Sequence, residues 1–176
     1  MLTQCYLGSF RTTAVSGQTE DSISNRFLWN YYNRVTRVMR AIDTTDSWTI
    51  AASAVLRQAN ANTANQINYV QGLSEDLVTA TALHSAINST TTSRNISTDI
   101  GVDSTSVASA QIKSITSCTN SAVANINAFY RGYPGIGKHS LMWLEKGGGT
   151  DTQTFFGDNT AGGLYGQNGI FAEILA

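Results

Sequence analysis

Two histidines, His84 and His139, are the side chains of this sequence best suited to proton transfer at neutral pH. His139 alternates with Leu141 and Trp143 in the segment HSLMWLE, a pattern more typical of a hydrogen-bonded core or interface histidine than of a general base. Serines and aspartates are frequent, so a Ser-His-Asp triad assembled by the fold stays open, but the GxSxG turn that presents a nucleophilic serine is absent. We expect no catalytic histidine.

Two pairs of acidic residues have the composition of a glycosidase centre. They are Asp43 with Asp46, and Glu75 with Asp76. Cleavage of a glycosidic bond needs two carboxylates that face one cleft, with one of them in an apolar pocket that raises its pKa. Both pairs occur in polar turn segments, so we expect them to cap turns. The sequence therefore predicts a protein without catalytic activity.

Ligand-binding loops are weakly indicated. The segment GYPGIGK (132–138) lacks the GxxxxGK[ST] order of a phosphate loop and precedes a strand, so we expect a bend in which Pro134 fixes φ. Asp151, Asp158 and Asn159 could approach a calcium ion, but the spacing of an EF-hand loop is absent. We expect neither a metal site nor a cofactor.

The composition excludes several classes of protein. The chain has 176 residues, a mass of 18.9 kDa and a formal net charge of −1, so it lacks the basic surface that binding to nucleic acid requires. Only 13% of its residues are charged, which suits a surface that meets other subunits or glycans. No segment approaches the length of a membrane span. Cys5 and Cys118 are far apart in the sequence, and two free thiols are expected, with a disulfide as the alternative.

Short alternating segments predict β-strands. QINYVQG (66–72), HSLMWLE (139–145) and GIFAEILA (169–176) alternate side chains between two faces, and turn residues separate about ten segments of this kind. The glycines of EKGGGTD (145–151) indicate a hairpin connection, because they can adopt positive φ. Residues 75–86 also place apolar side chains at helical spacing, but their β-branched residues favour a long strand over a helix.

An aromatic segment, RFLWNYYNRVTR (26–37), suggests assembly. On a single strand its large side chains would point alternately to both faces, and a strand that is apolar on both faces is covered on both. The apolar C-terminal segment suggests a second buried or shared surface. We predict an all-β jelly roll over residues 1–176, a tumour-necrosis-factor-like β-sandwich or barrel that forms a homotrimer. The predicted subunit-interface residues are Trp29, Tyr31, Tyr32, Arg34 and Phe171.

Several phrases together resemble the C-terminal β-rich domain of structural proteins from tailed bacteriophages and prophages, such as tail-fibre-like and other virion proteins. The similarity extends over nearly the whole chain and is weakest in residues 88–125. The phrases that carry the resemblance are YLGSFRTT (6–13), SGQTEDS (16–22), RFLWNYYNRV (26–35), DTTDSW (43–48), RQANANTANQINYVQGLSED (57–76), YRGYPGIGKHSLMWLE (130–145), FFGDN (155–159) and GLYGQNGIFAEILA (163–176).

The resemblance implies a structural protein at the surface of a phage particle. The expected role is the trimeric knob of a tail fibre or spike that attaches to the host; the alternatives are a decoration protein that stabilises the phage head and a glycan-cleaving tailspike domain. The expected partners are further copies of the chain, other virion proteins and a glycan or protein of the host surface. Candidate receptor- or glycan-binding residues are Trp48, Tyr165, Gln167 and Asn168.

Overall fold

The computed structural model describes residues 4–158 and 166–176. These residues form fifteen β-strands and one short 3₁₀-helix, Ala59–Ala61. The strands are β1 (Gly8–Phe10), β2 (Asn25–Arg26), β3 (Leu28–Asn30), β4 (Thr36–Ile42), β5 (Ser47–Ala51), β6 (Arg57–Gln58), β7 (Gln66–Gln71), β8 (Val78–Asn88), β9 (Arg94–Val102), β10 (Ile112–Lys113), β11 (Ile115–Cys118), β12 (Ala124–Gly132), β13 (Gly137–Lys146), β14 (Thr152–Phe156) and β15 (Gly169–Leu175).

Two antiparallel sheets pack face to face. In sheet I, β12 lies between β10 and β8, and the long strand β8 pairs along its other edge with β15 over one half and with β14 over the other. Strands β4 and β5 complete this side by pairing with β15 and β14, respectively. Sheet II has the order β11, β9, β13, β7 and β2, and β6 pairs with β13 beyond the end of β7. The pairing of β2 with β7 is parallel.

The strand order is that of a jelly roll. We count β4 with β5, β6 with β7, and β14 with β15 as three interrupted strands, which together with β8, β9, β11, β12 and β13 give eight strands in chain order. Sheet I then has the order 1-8-3-6 and sheet II the order 2-7-4-5. Two interlocked Greek keys of this kind define the jelly-roll sandwich. The fold class predicted from the sequence is confirmed.

The core lies between the inner faces of the two sheets. Its largest fully buried side chains include Trp143, Tyr69, Phe155 and Met39. Inner and outer residues alternate along most strands, as expected when one face of a sheet meets the core and the other meets solvent. Burial of each large apolar side chain contributes about 1.5–3 kcal/mol relative to exposure.

The structure confirms the strands predicted at 66–72, 139–145 and 169–176, which correspond to β7, β13 and β15. Residues 75–86 form most of β8, so the strand prediction holds and the helical alternative does not. The apolar residues at helical spacing in this segment therefore lie on both faces of an extended strand. The residues on its inner face are buried.

The prediction of one continuous strand over residues 26–37 is wrong. The segment contains the end of β2, all of β3, a turn and the start of β4. The side chain of Asn30 causes the break, because its Oδ1 accepts a hydrogen bond of 2.9 Å from the backbone N–H of Tyr32 and so replaces a ladder bond with a local turn. Phe27 and Trp29 are buried, but the opposite face, with Leu28, is exposed in the isolated chain.

The prediction of a hairpin at residues 145–151 is also wrong. The strand before this segment, β13, belongs to sheet II, whereas the strand after it, β14, belongs to sheet I. The connection therefore crosses from one sheet to the other. Gly149 does have positive φ, at 82°, but a local backbone angle does not determine which strand the following residues join.

A two-stranded ribbon formed by β1 and β3 lies outside the sandwich. Its antiparallel register places Gly8 opposite Asn30 and Phe10 opposite Leu28. The ring of Trp29 anchors the ribbon, since it covers Gly72 so closely that a Cβ atom at that position would lie 2.1 Å from the ring. The close contact explains why residue 72 has no side chain.

Candidate functional site

The predicted glycan-binding residues do not form one exposed surface. Trp48 is buried and donates a hydrogen bond of 2.7 Å from its Nε1–H to Glu145. Asn168 is also buried, and its side-chain amide donates to the carbonyl of Phe156 at 3.0 Å. Gln167 is exposed, whereas Tyr165 lies outside the described residues. The burial of Trp48 and Asn168 gives both side chains a packing role.

Four of the predicted interface residues form a cluster around the ribbon. Trp29 is buried and donates from Nε1–H to Asp76 at 3.0 Å. Arg34 forms a salt bridge of 2.8 Å with the same carboxylate, and its guanidinium lies over the rings of Trp29 and Tyr31. Tyr31 and Tyr32 are exposed and pack edge to face. The cluster thus combines a buried anchor with an open aromatic surface.

Phe171, the fifth predicted interface residue, lies elsewhere, on the outer face of sheet I. We call this surface the sheet I face. Six of its large apolar side chains are exposed in the described part of the chain, an unusual number for one sheet face. Its side chains are Val38, Arg40, Ile42, Thr79, Thr81, Leu83, Ile112, Phe129, Arg131, Phe171 and Glu173.

The register of sheet I aligns the centre of this face in one row. Phe171 lies opposite Arg40 on one side and opposite Thr81 on the other, Thr81 lies opposite Phe129, and Phe129 lies opposite Ile112. Phe129, Phe171 and Ile112 are 37%, 42% and 67% exposed. The row crosses five strands, a width of about 24 Å at the usual strand spacing. The row therefore presents the apolar side chains of Phe171, Phe129 and Ile112, with Thr81 between the two phenylalanines, and we call it the apolar strip.

Charges lie at one end of the strip and along one side of it. Arg40 lies at its β4 end, Arg131 lies on β12, and Glu173 lies on β15. Within the described ranges, none of these three side chains forms a salt bridge. The two arginines of this face carry the charge opposite to that of Glu173, so two copies of the chain could pair through these side chains.

A pocket of about 430 Å³ lies at the ribbon, and we call it the ribbon pocket. Its apolar walls include Leu7, Phe10 and Leu28, and its polar groups include Arg26, Asn30, Asn33 and Arg37. No carboxylate lines the pocket among the residues that the structure describes.

A carboxylate and an imidazole are buried together in the core. Glu145 accepts hydrogen bonds from Trp48, from Nε of Arg57 at 2.9 Å and from the backbone N–H of Asn60 at 3.1 Å. Burial raises the pKa of Glu145 to about 7, although the Trp48 hydrogen bond, Arg57 and the Asn60 N–H act in the opposite direction. His84 lies 3.7 Å from the same carboxylate.

His84 is a neutral core residue. Its ring packs against Trp143 with 4.1 Å between centroids, and neither ring nitrogen has a hydrogen-bond partner within the described part of the chain. Burial lowers the pKa of His84 well below its usual value, although the charge of Asp43 raises it. The approach to Glu145 is therefore not an ion pair at neutral pH.

The other titratable groups from the sequence analysis have structural partners. Thr45 donates its backbone N–H to Asp43 at 2.9 Å, which is the turn cap expected from the sequence. Burial would raise the pKa of Asp43, but hydrogen bonds from Asn65, Thr45 and Asn60 outweigh it and hold the pKa below its usual value. His139 is satisfied by Asp103 at 2.7 Å and by the carbonyl of Gly135, as predicted for a core histidine.

Neither metal ligands nor a disulfide is found in the described residues. No group of three or more His, Cys, Asp or Glu side chains in these ranges could hold a metal ion, and Asp151 instead pairs with Arg94 at 2.7 Å. Cys5 is an exposed free thiol and Cys118 a buried one. Burial raises the pKa of the Cys118 thiol. In the same ranges, no helix is long and apolar enough to cross a membrane.

Sequence reasoning did not find the sheet I face or the ribbon pocket. The segment TRVMRAI (36–42) does carry a signal for the face, because both sides of this strand are apolar. Met39 and Ala41 point to the core, and Val38 and Ile42 point to the outer face. The pocket has no such signal, because its walls come from separate short segments.

Comparisons with known proteins give little further information. No protein-family model matches the chain, and no curated protein matches it. Among solved structures, the chain is similar to the CBM22-1 xylan-binding domain of Xyn10C from Paenibacillus barcinonensis, with 7% sequence identity and a TM-score of 0.38. That alignment covers 84% of this chain and 88% of the other. At this level the similarity supports no inference about ligands.

Proposed function

We propose that this chain is a non-catalytic structural domain of a bacteriophage particle, the knob of a tail fibre or spike that forms a homotrimer and contacts the host surface. The observation that carries the proposal is the sheet I face. A rigid sandwich that exposes this apolar strip on one sheet, beside charges of both signs that form no salt bridge among the described residues, fits an assembling subunit better than a free monomer. The similarity of its sequence phrases to virion proteins supports the phage setting.

The occupant of the sheet I face in this proposal is a second copy of the chain. Its three central rows cover about 500 Å² at the usual spacings of strands and residues. This area, which includes the polar side chains of Thr79, Arg131 and Glu173, is somewhat more than half of what each partner buries in a standard interface. Neighbouring loops supply the remaining contact.

The charges on the sheet I face are compatible with a ring of three. Around a three-fold axis the contact is heterologous, so the part of the face that carries Glu173 can meet a different part of the next subunit, including Arg40 or Arg131. Three weakly binding loop surfaces on one trimer then act together on a host surface through avidity.

The first experiment measures the mass of the purified protein under native conditions. We expect a species of about three times 18.9 kDa. Replacement of Phe171 or Phe129 by Glu should shift it to monomer without loss of fold, since both side chains are already partly exposed. Ile115→Glu is the matched control, because this apolar side chain is 66% exposed and lies on β11 of sheet II. A wild-type monomer at micromolar concentration would contradict the assembly.

The second experiment locates the protein on purified phage particles by antibody labelling in the electron microscope. The proposal expects label at the tail tip. Label over the head would instead favour the decoration protein. Release of reducing ends from host polysaccharide by the purified protein would contradict the non-catalytic assignment.

A further inference from the structure

We propose that the ribbon pocket binds an acidic sugar, that is, a saccharide that carries a carboxylate. The saccharide part of this inference rests on the proposed contact with a host surface, whereas the anionic part rests on the pocket alone.

Hydrogen-bond donors dominate the polar lining of the pocket. The guanidinium of Arg37 has one described contact, a bond of 3.4 Å from Nε to the carbonyl of Ala176. Arg26 also lines the pocket, but its side chain is largely buried and already forms a salt bridge of 2.6 Å with Asp21. Arg37 is therefore the arginine whose remaining NH donors can bind the paired oxygens of a carboxylate.

Amide groups extend the donor set. Asn30 engages its Oδ1 with the backbone of Tyr32, so its amide NH₂ group remains available to a ligand, and Asn33 lines the pocket beside it. Together with Arg37, these groups favour a ligand rich in acceptor oxygens. A neutral apolar ligand would leave the donors unpaired at a cost in affinity.

The opposite wall of the pocket is apolar and open. Phe10 is 69% exposed, and Leu28 lies directly across the ribbon from it. A flat pair of apolar side chains suits the C–H face of a sugar ring. The volume of about 430 Å³ lies in the range of small-molecule sites, about 300–1,000 Å³.

Titration of the purified protein with a galacturonic acid trisaccharide, followed by amide chemical shifts in NMR spectra, tests the proposal. We expect saturable shifts in β1, β3 and the start of β4, with an affinity that falls as salt is raised. Maltotriose, a neutral trisaccharide, should bind at least tenfold more weakly. Equal binding of the two sugars would overturn the anionic part.

Two variants assign the site. Arg37→Gln should weaken binding of the acidic sugar at least tenfold, and Phe10→Ala, at an exposed position that folding does not require, should weaken it severalfold. Arg131→Gln, on the sheet I face, is the matched control and should bind normally. Unchanged binding by both pocket variants would overturn the site. Acetate that shifts the same amides at equal concentration would overturn the saccharide part. These results do not depend on trimer formation, so the two proposals can fail separately.

Discussion

At the scale of single residues, the most unusual feature is the burial of Glu145 beside His84. Both side chains are fully buried. Burial favours the neutral form of each, since it raises the pKa of Glu145 to about 7 and lowers the pKa of His84. Arg57 and Trp48 hold the carboxylate in place. A structural carboxylate of this kind stabilises the fold less when it is ionised, because its charge has left water.

The dependence of stability on pH should show opposing contributions from these two residues. The folded-state pKa of Glu145 is raised to about 7, above the unfolded value, so its contribution to stability falls as pH rises from about 4.5 to 7. The difference amounts to about 3 kcal/mol over that range. The pKa of His84 is lowered, so its contribution falls as pH drops below about 6.5.

Glu145→Gln and His84→Leu separate the two contributions. In the Gln variant we expect the free energy of unfolding to rise with pH up to about 6.5, because only the histidine term remains. In the Leu variant it should fall between pH 5 and 7. Urea unfolding at several pH values measures both slopes. Parallel slopes in the two variants would contradict the assignment.

At the scale of elements, Trp29 is the main buried anchor of the ribbon of β1 and β3. It covers Gly72, stacks on Tyr6 and donates to Asp76. Arg34 binds the same carboxylate, and β2 pairs with sheet II immediately before β3 begins. The position of the ribbon, and with it the shape of the ribbon pocket, therefore depends most on the tryptophan.

We expect Trp29→Ala to lower the free energy of unfolding by about 3–5 kcal/mol, the usual cost of removing a buried aromatic side chain. The variant should also be cleaved by protease in residues 11–20 under conditions where the wild type is not. Tyr32→Ala, at a neighbouring exposed position, should change stability by less than about 0.5 kcal/mol. Equal effects of the two substitutions would show that Trp29 is not the anchor.

The elements that the sequence predicted are those with a strong local signal. β7, β13 and β15 are apolar segments bounded by turn residues. β15 alternates clearly between a buried and an exposed face, whereas β7 and β13 are buried on both faces over part of their length. The two-residue strands β2, β6 and β10 carry no periodicity that could reveal them. The glycines of 145–151 predict a hairpin, but the chain crosses between the sheets there. Glycine content reports only the local backbone, whereas the packing of the whole sandwich determines which strand β14 pairs with.

The candidate surfaces were harder to predict for a related reason. The sheet I face becomes visible only when the register aligns residues from β4, β15, β8, β12 and β10, which are far apart in the chain. The ribbon pocket depends on the turn that Asn30 makes. Trp48 was predicted at a binding surface because tryptophan suits glycan contacts, but the same aromatic area suits the core equally well.

At the scale of the whole molecule, the position of β15 governs folding. This strand lies between β8 and β4 and is hydrogen-bonded along both edges, with Ile170, Ala172 and Ile174 buried. The N-terminal strand β1, by contrast, pairs only with β3. The two ends of the described chain therefore contribute very unequally to stability.

Removal of residues 169–176 should abolish the folded state, because it removes four core side chains, Ile170, Ala172, Ile174 and Ala176, and exposes two strand edges, a loss comparable with a total stability of about 5–15 kcal/mol. Removal of residues 1–10 should leave a folded protein of reduced stability. Amide dispersion in NMR spectra distinguishes the two results. A well-dispersed spectrum from the chain that lacks 169–176 would contradict the central role of β15.

The central place of β15 also affects how the polypeptide is made. Translation adds about 5–20 residues per second, so β15 leaves the ribosome roughly 6–25 seconds after β4. Until then, β4 and β8 lack the strand that pairs with both of them. During that interval the edges of β4 and β8 are bare and can pair with other nascent chains. We therefore expect high-yield production to depend on chaperones that cover these edges until β15 emerges.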